Sequence, residues 1–233
     1  MKINIGLIGF GYWGRKLYSK LTSISNVNIK FVCRSKNTYE DKLDSVDWVF
    51  VATPDITHYK IVKTCILNGK NVFCEKPLTA NFKQTISLFE LSEIKGVKLY
   101  VDDVFNYRTE VAELHKSLDK EKEINVVWNT LKRENYLNRL TYHDLYLLYP
   151  ILKDEVIVNW PKINNITFEY WAADKNYHKV NGIDFTHTNE NNDALFDMIN
   201  GVLNDNSIVD WNYNKAITLN SEKLLEKIKL NER

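Results

Sequence analysis

The feature that most constrains this chain is a regular exchange of short apolar runs and helical patterns along its N-terminal half. Lys2–Ile8, Val27–Cys33, Trp48–Ala52, Val72–Cys74 and Val97–Val101 read as strands, with Tyr12–Leu21, Ile56–Leu67 and Asn81–Lys95 as helices between them. Ile61, Val62, Cys65 and Ile66 share one helical face, as do Phe82, Ile86, Phe89 and Glu93, and Gly96 is a helix stop. Strand–helix alternation with short connections leaves one economical solution, a parallel, doubly wound sheet.

The pattern changes after Asp102. Thr109–Leu118, Thr141–Leu152, Asp193–Leu203 and Ser221–Lys229 read as helices, and Glu123–Leu131, Glu155–Trp160, Ile166–Ala172 and His178–Phe185 as strands. The expected fold class is therefore α/β: a doubly wound parallel sheet over 1–102, then a smaller α+β domain over 103–233 with a mainly antiparallel sheet.

Gly9-Phe10-Gly11-Tyr12-Trp13-Gly14 lies between the first strand and the first helix, the context that the G-x-G-x-x-G dinucleotide-binding motif of a Rossmann sheet requires. Gly9 makes the tight turn, Gly11 lets the backbone approach a pyrophosphate, and Gly14 allows close helix–strand packing. The helix N-terminus offers unpaired N–H groups to the phosphates. Where an NAD-binding chain usually places an acidic residue on the ribose, this one carries Cys33-Arg34-Ser35-Lys36. Two cations and a hydroxyl suit a 2′-phosphate, so NADP is favoured over NAD. Alternatively, Arg34 and Lys36 are solvated surface charges.

Glu75-Lys76-Pro77 follows the apolar run Asn71–Cys74. A charged pair at the carboxyl end of a buried parallel strand is badly placed for stability and well placed for chemistry, because open α/β sheets bind ligands beyond those strand ends. Proline fixes the following backbone and keeps Lys76 out of helical geometry.

A net charge of +1 gives no support for a nucleic-acid or anionic-membrane partner. No apolar run reaches transmembrane length, and Met1–Gly9 is too short and too interrupted for a signal peptide. Three cysteines, Cys33, Cys65 and Cys74, without paired spacing suggest reduced thiols in a cytoplasmic protein, with no disulfide framework and no metal site. Cys74, beside Glu75, is the one candidate for a reactive thiol.

Gly9–Gly14, Ala52-Thr53-Pro54 with His58, and Asn68-Gly69-Lys70-Asn71-Val72 leading into Glu75-Lys76-Pro77-Leu78 together resemble the Gfo/Idh/MocA oxidoreductases. The resemblance covers about the first hundred residues closely. Further on, Val101–Tyr107 resembles the lead into that family's substrate domain, and Tyr142-His143-Asp144-Leu145 its helix with an active-site histidine. It implies an NAD(P)-dependent enzyme passing hydride between nicotinamide and a sugar, cyclitol or nucleotide-sugar hydroxyl or carbonyl. Lys76 is the implied general acid/base, assisted by His143. Thr53, Pro54 and His58 line the cofactor, and Glu75 sits against its nicotinamide end. The second domain binds the small-molecule substrate and builds a homodimer. Asp103 and Tyr107, just past the last strand of the sheet, are further candidates for the substrate crevice.

Two departures stand out. Arg139 occupies the place, four residues before the histidine, where relatives carry an aspartate. An arginine cannot accept a proton there, but it suits an anionic substrate group. The stretch between Trp128 and His143 is also short. These departures leave open a non-catalytic dinucleotide-binding sensor or partner subunit, and an imine (C=N) reductase is a further alternative.

Overall fold

The computed structural model describes residues 2–34, 38–130, 136–187, 193–206 and 208–231. The chain forms two compact units, one of Met1–Asp102 with Leu195–Leu219 and one of Asp103–Ala194 with Asn220–Arg233.

The first unit is built on β1 (Ile3–Ile8), β2 (Val27–Cys33), β3 (Trp48–Val51), β4 (Asn71–Cys74) and β5 (Leu99–Val101), with helices α1 (Tyr12–Ser23), α2 (Asp55–Leu67) and α3 (Phe82–Lys95). The strands run in the order β2-β1-β3-β4-β5, all parallel. Among the described residues, a short 3-10 segment, Glu40–Ser45, lies between β2 and β3. The winding direction therefore reverses between β1 and β3, where such sheets open a crevice at their carboxyl ends.

One face of this sheet packs Ile8, Val49, Val51, Val72, Cys74 and Val101 against Val62, Cys65 and Ile66 of α2 and Leu88 and Phe89 of α3. The other face is aromatic. Phe50 stacks on Phe73 at 4.7 Å, Phe73 on Tyr100 at 6.0 Å, and Trp211 meets Tyr100 edge-on at 5.4 Å. Trp211 opens α8 (Trp211–Asn231), which follows α7 (Ala194–Asn204). This explains why Leu195–Leu219, expected from sequence in the second domain, group with the first unit: they cover its aromatic face. Asn214 also closes the sheet's edge, its side chain accepting from the Val101 N–H at 3.0 Å and donating to the Val101 carbonyl at 2.8 Å.

Helix α3 differs from its expected face. Its buried residues are Thr85, Leu88, Phe89 and Ser92, whereas Phe82 and Ile86 are half-buried and Glu93 is exposed. Thr85 and Ser92 bury because their hydroxyls are satisfied close by, Thr85 with Thr79 at 2.8 Å and Ser92 on the Phe89 carbonyl at 2.7 Å. Asn81 caps the helix start, and Gly96 ends it in the left-handed region at φ 63°.

The second unit holds β6 (Ile124–Thr130), β7 (Val158–Asn159), β8 (Lys162–Ile163), β9 (Ile166–Ala172), β10 (Tyr177–Val180) and β11 (Ile183–Asp184), with α4 (Glu110–Ser117), α5 (Tyr136–Leu147) and α6 (Tyr149–Leu152). The sheet order is β11-β10-β6-β9-β8-β7. It is mixed: the central pair β6–β9 is parallel and the other four pairs are antiparallel. Two runs expected as single strands differ. Glu155–Trp160 contributes only β7, at the sheet's edge, and His178–Phe185 folds back as a hairpin through Asn181 (φ 49°) and Gly182 (φ 82°), the two-residue turn that Asn-Gly favours. The expected helix Thr141–Leu152 starts earlier, at Tyr136, and divides into α5 and α6.

Candidate active site

At the carboxyl end of the first sheet, the strand ends hold one another through main-chain bonds. Gly9 N–H donates to Cys33 O at 2.9 Å, Ala52 N–H to Ile8 O at 2.8 Å, and Glu75 N–H to Val51 O at 2.9 Å. Gly9 lies at φ 99°, a region closed to other residues without strain, and a Cβ there would overlap the Ala52 carbonyl. A Cβ on Gly14 would overlap the Gly9 carbonyl, whereas one on Gly11 would enter open space. Gly11 caps α1 with no side-chain bond, and no acidic residue stands in the first turn. The cradle is thus kept clear of side chains at Gly9, Gly11 and Gly14, which fits a dinucleotide diphosphate at the start of α1.

Around this turn Tyr12 is exposed and meets half-buried Trp13 edge-on, with the Lys16 ammonium over both rings. The Arg34 guanidinium lies 5.5 Å from the half-buried Phe10 ring. Ser35 and Lys36 lie outside the described residues.

Ala52 and Thr53 are half-buried and Pro54 is exposed at the β3 end. His58 is different. Expected to line the cofactor, it is only 1% exposed, and both ring nitrogens face main-chain carbonyls, Nδ1 toward Pro77 and Nε2 toward Thr53, each at 2.8 Å. The imidazole is a clamp between the loops after β3 and β4. Burial lowers its pKa, against the pull of the two carbonyls and Asp55.

Lys76 is half-buried in the turn after β4, followed by a cis bond to Pro77. Glu75 and Asp102 are the first residues past β4 and β5, and Asp102 N–H donates to Cys74 O at 2.9 Å. Both side chains are buried, 6% and 2% exposed, and the two carboxyl groups interact across the ends of paired strands. Burial first, then the Asp102 charge, raises Glu75 well above the carboxylate range, with the nearby Lys76 charge opposing. The Glu75 carboxyl is thus directed to Asp102 and to the Lys76 N–H, and its Oε1 has no partner among the described residues. Cys74 is fully buried, as are Cys33 and Cys65, and burial pushes the Cys65 thiol up to about 12. Among the described residues no three ligating side chains gather at a metal site, and no helix is long and apolar enough to cross a membrane.

In the second unit, His143 is buried in α5 under the Phe105 ring, stacked at 4.5 Å. Its Nδ1 lies 2.8 Å from the Tyr146 hydroxyl, which accepts the Phe105 N–H at 3.2 Å. Asp144 is not the first-turn charge its place near Thr141 suggests. It lies inside α5, fully buried, and receives the Tyr170 hydroxyl on Oδ2 and His178 Nε2 on Oδ1, both at 2.7 Å. Trp128 stacks on His178 at 3.7 Å, and burial raises the Tyr170 phenol well above its usual range. Asp103 is buried and accepts from Asn106 at 3.1 Å, Tyr107 is half-buried, and Arg139 is exposed on α5 one turn before His143.

The model of the oxidoreductase family GFO_IDH_MocA, described as an NAD-binding Rossmann fold, matches residues 3–103. Residues 3–103 thus match the Gfo/Idh/MocA oxidoreductase family. Among curated proteins the chain is 27% identical over 121 residues to 2,7-anhydro-N-acetylneuraminate hydratase of Escherichia coli, covering 45% of this chain and 32% of that protein. It is 28% identical over 137 residues to inositol 2-dehydrogenase/D-chiro-inositol 3-dehydrogenase of Lactiplantibacillus plantarum, covering 49% and 39%. The matches thus span about a third of these relatives' length. Among solved structures, GenD2 from gentamicin A biosynthesis, in complex with NAD, superposes with a TM-score of 0.74 at 16% identity over 100% of this chain and 95% of that one. UDP-N-acetylglucosamine 3-dehydrogenase GnnA from Acidithiobacillus ferrooxidans gives 0.75 at 15% identity over 99% and 98%. At such identities the likeness is one of fold.

The site residues missed from sequence are Asp102, Tyr146, Tyr170 and His178. Asp102 had a usable signal, because it stands one step past β5 as Glu75 stands past β4. Tyr146 had one too, since it stands one turn after His143 on α5; Tyr170 and His178 had none, because they reach Asp144 from separate strands.

Proposed function

We propose that the chain is an NAD(P)-dependent oxidoreductase acting on a hydroxyl or carbonyl carbon of a sugar, cyclitol or nucleotide sugar. The reading rests chiefly on one observation: Lys76 follows β4, next to the β1/β3 switch point, in a family sheet whose glycine turn is clear for a diphosphate. When bound, the nicotinamide supplies or takes up hydride. The chain has to orient the substrate and manage one proton. Lys76 gives that proton to a carbonyl oxygen or removes it from a hydroxyl, and its half-buried turn keeps the amine off the helix and at the strand end.

His143 takes the supporting role the family resemblance gives it, with Tyr146 fixing its ring. Arg139, exposed where relatives carry an aspartate, supports an anionic substrate such as a sugar acid or nucleotide sugar. Arg34 supports NADP over NAD.

The test is turnover of sugars, cyclitols and nucleotide sugars with NADP and NAD, followed by nicotinamide absorbance. Lys76→Ala is expected to lower kcat by about 10²–10⁴-fold with cofactor affinity retained. Undiminished turnover in that variant overturns the assignment. Tight cofactor binding with no turnover on any of these substrates favours the sensor reading.

A further inference from the structure

Glu75 and Asp102 are brought together by strand register. β4 and β5 pair in parallel up to Cys74 and Val101, and the ladder ends with Asp102 N–H on the Cys74 carbonyl. The next residue on each strand is acidic, and both side chains are buried. Two carboxylates buried side by side at the ends of paired strands resist both being ionised, because like charges in a poorly solvated site repel strongly and neither ionised group can donate to the other. A hydrogen bond between them requires a proton.

Two charged groups stand next to the pair along the chain. Lys76 lies on one side, its N–H on the Glu75 carboxyl. Asp103, the next acid along the chain, is engaged by Asn106. The Lys76 ammonium neutralises one negative charge and not two.

We propose that Glu75 and Asp102 share a single proton and act as a positioning pair behind Lys76, presenting it with one negative charge. This deepens the reading of Lys76 as the proton-transfer residue and rests on it. A fully ionised pair would hold the proton on the amine and oppose its use as a base, and a neutral pair would leave the ammonium uncompensated. With one shared proton the amine keeps a counter-charge and still titrates. The burial that raises Glu75 works in the same direction.

The pair is tested without turnover. In deuterated buffer at neutral pH, infrared spectra of the intact chain should show the carbonyl stretch of a protonated carboxylic acid. That band should disappear in Glu75→Gln, which keeps a donor toward Asp102. A wild-type spectrum lacking the band above the ordinary carboxylate range overturns the proposal, as does a band that survives in Glu75→Gln and in Asp102→Asn.

A second measurement reads the charge on the pair through Lys76, by labelling its amine with acetic anhydride across pH. If wild type already carries one negative charge, Glu75→Gln leaves the labelling midpoint in place. If both carboxyls are ionised, the midpoint falls by ~1 pH unit or more, and the proposal fails. Loss of turnover in Lys76→Ala bears on neither readout, so the reading of Lys76 and the shared proton can fail separately.

Discussion

The two units solve the problem of buried polar groups differently. In the first, polar groups at the strand ends are matched mainly to the main chain: His58 to the Thr53 and Pro77 carbonyls, Gly9 to Cys33, Asn214 to both polar atoms of Val101. In the second, side chains satisfy side chains across long stretches of sequence, as where Asp144 gathers Tyr170 and His178 from β9 and β10. Main-chain matching ties chemistry to backbone geometry that a short motif can encode. Side-chain matching builds a rigid interior from residues that share no motif.

The contrast is broken most sharply at Asp144. Asp144→Ala leaves the His178 nitrogen and the Tyr170 hydroxyl buried without their acceptor, and should destabilise the chain by about 3–5 kcal/mol. Denaturant unfolding should show the loss, and hydrogen exchange should place it in β9 and β10. A change below about 1 kcal/mol, as for a replaceable surface group, would mean that the network does not hold the unit together.

Gly14→Ala tests the main-chain side. The new Cβ overlaps the Gly9 carbonyl, so turn and helix must separate, at a cost of about 1–3 kcal/mol and of most of the affinity for a dinucleotide. Gly11→Ala meets no protein atom and should leave stability nearly unchanged while weakening the cofactor. Equal stability and equal cofactor affinity in the two variants would dissolve the distinction between a packing glycine and a clearance glycine.

This division also explains what could be read from the chain before its structure. The doubly wound sheet, the glycine turn and Glu75-Lys76-Pro77 follow from periodicity and short motifs, because each is local. The mixed second sheet was harder: its central pairing joins β6 to β9 across two helices and a hairpin, and no local pattern announces a parallel partner that far away. The aromatic face made by Phe50, Phe73 and Tyr100 implied a cover, but nothing nearby in sequence names Trp211 as part of it. His58 was visible as a motif residue and misplaced as a lining residue, since spacing puts it on the face of Val62 and Cys65, toward the core.

His58→Phe keeps the ring and removes both nitrogens, so the carbonyl that accepts the neutral imidazole's one N–H loses its partner at a cost of about 1–3 kcal/mol. Its pH dependence separates this clamp from simple packing. With its folded pKa lowered by burial, the native state resists protonation while the unfolded chain takes up a proton near the ordinary histidine value of about 6.5. His58 stability is therefore present above that value and lost as pH falls through it toward the folded pKa. The variant should flatten part of this acid-side decline, and His115, lowered by its own burial, should retain the rest. Parallel wild-type and variant curves would show that His58 does not titrate with folding.

The smallest effect is expected at Arg34, which is exposed and whose guanidinium lies over Phe10. If Arg34 meets a 2′-phosphate, Arg34→Ala should weaken NADPH about tenfold, or about 1.4 kcal/mol, and leave NADH within about twofold. The NADPH loss should shrink as salt is raised, because an exposed ion pair is screened within about 10 Å at 0.1 M ionic strength. Titration of both cofactors at two salt concentrations reads all of this. An equal loss for NADH and NADPH would make Arg34 a stacking partner for Phe10 and remove the main support for NADP. A selective loss would make it a side chain that reads the cofactor through its own charge, where Gly9, Gly11 and Gly14 act through the backbone alone.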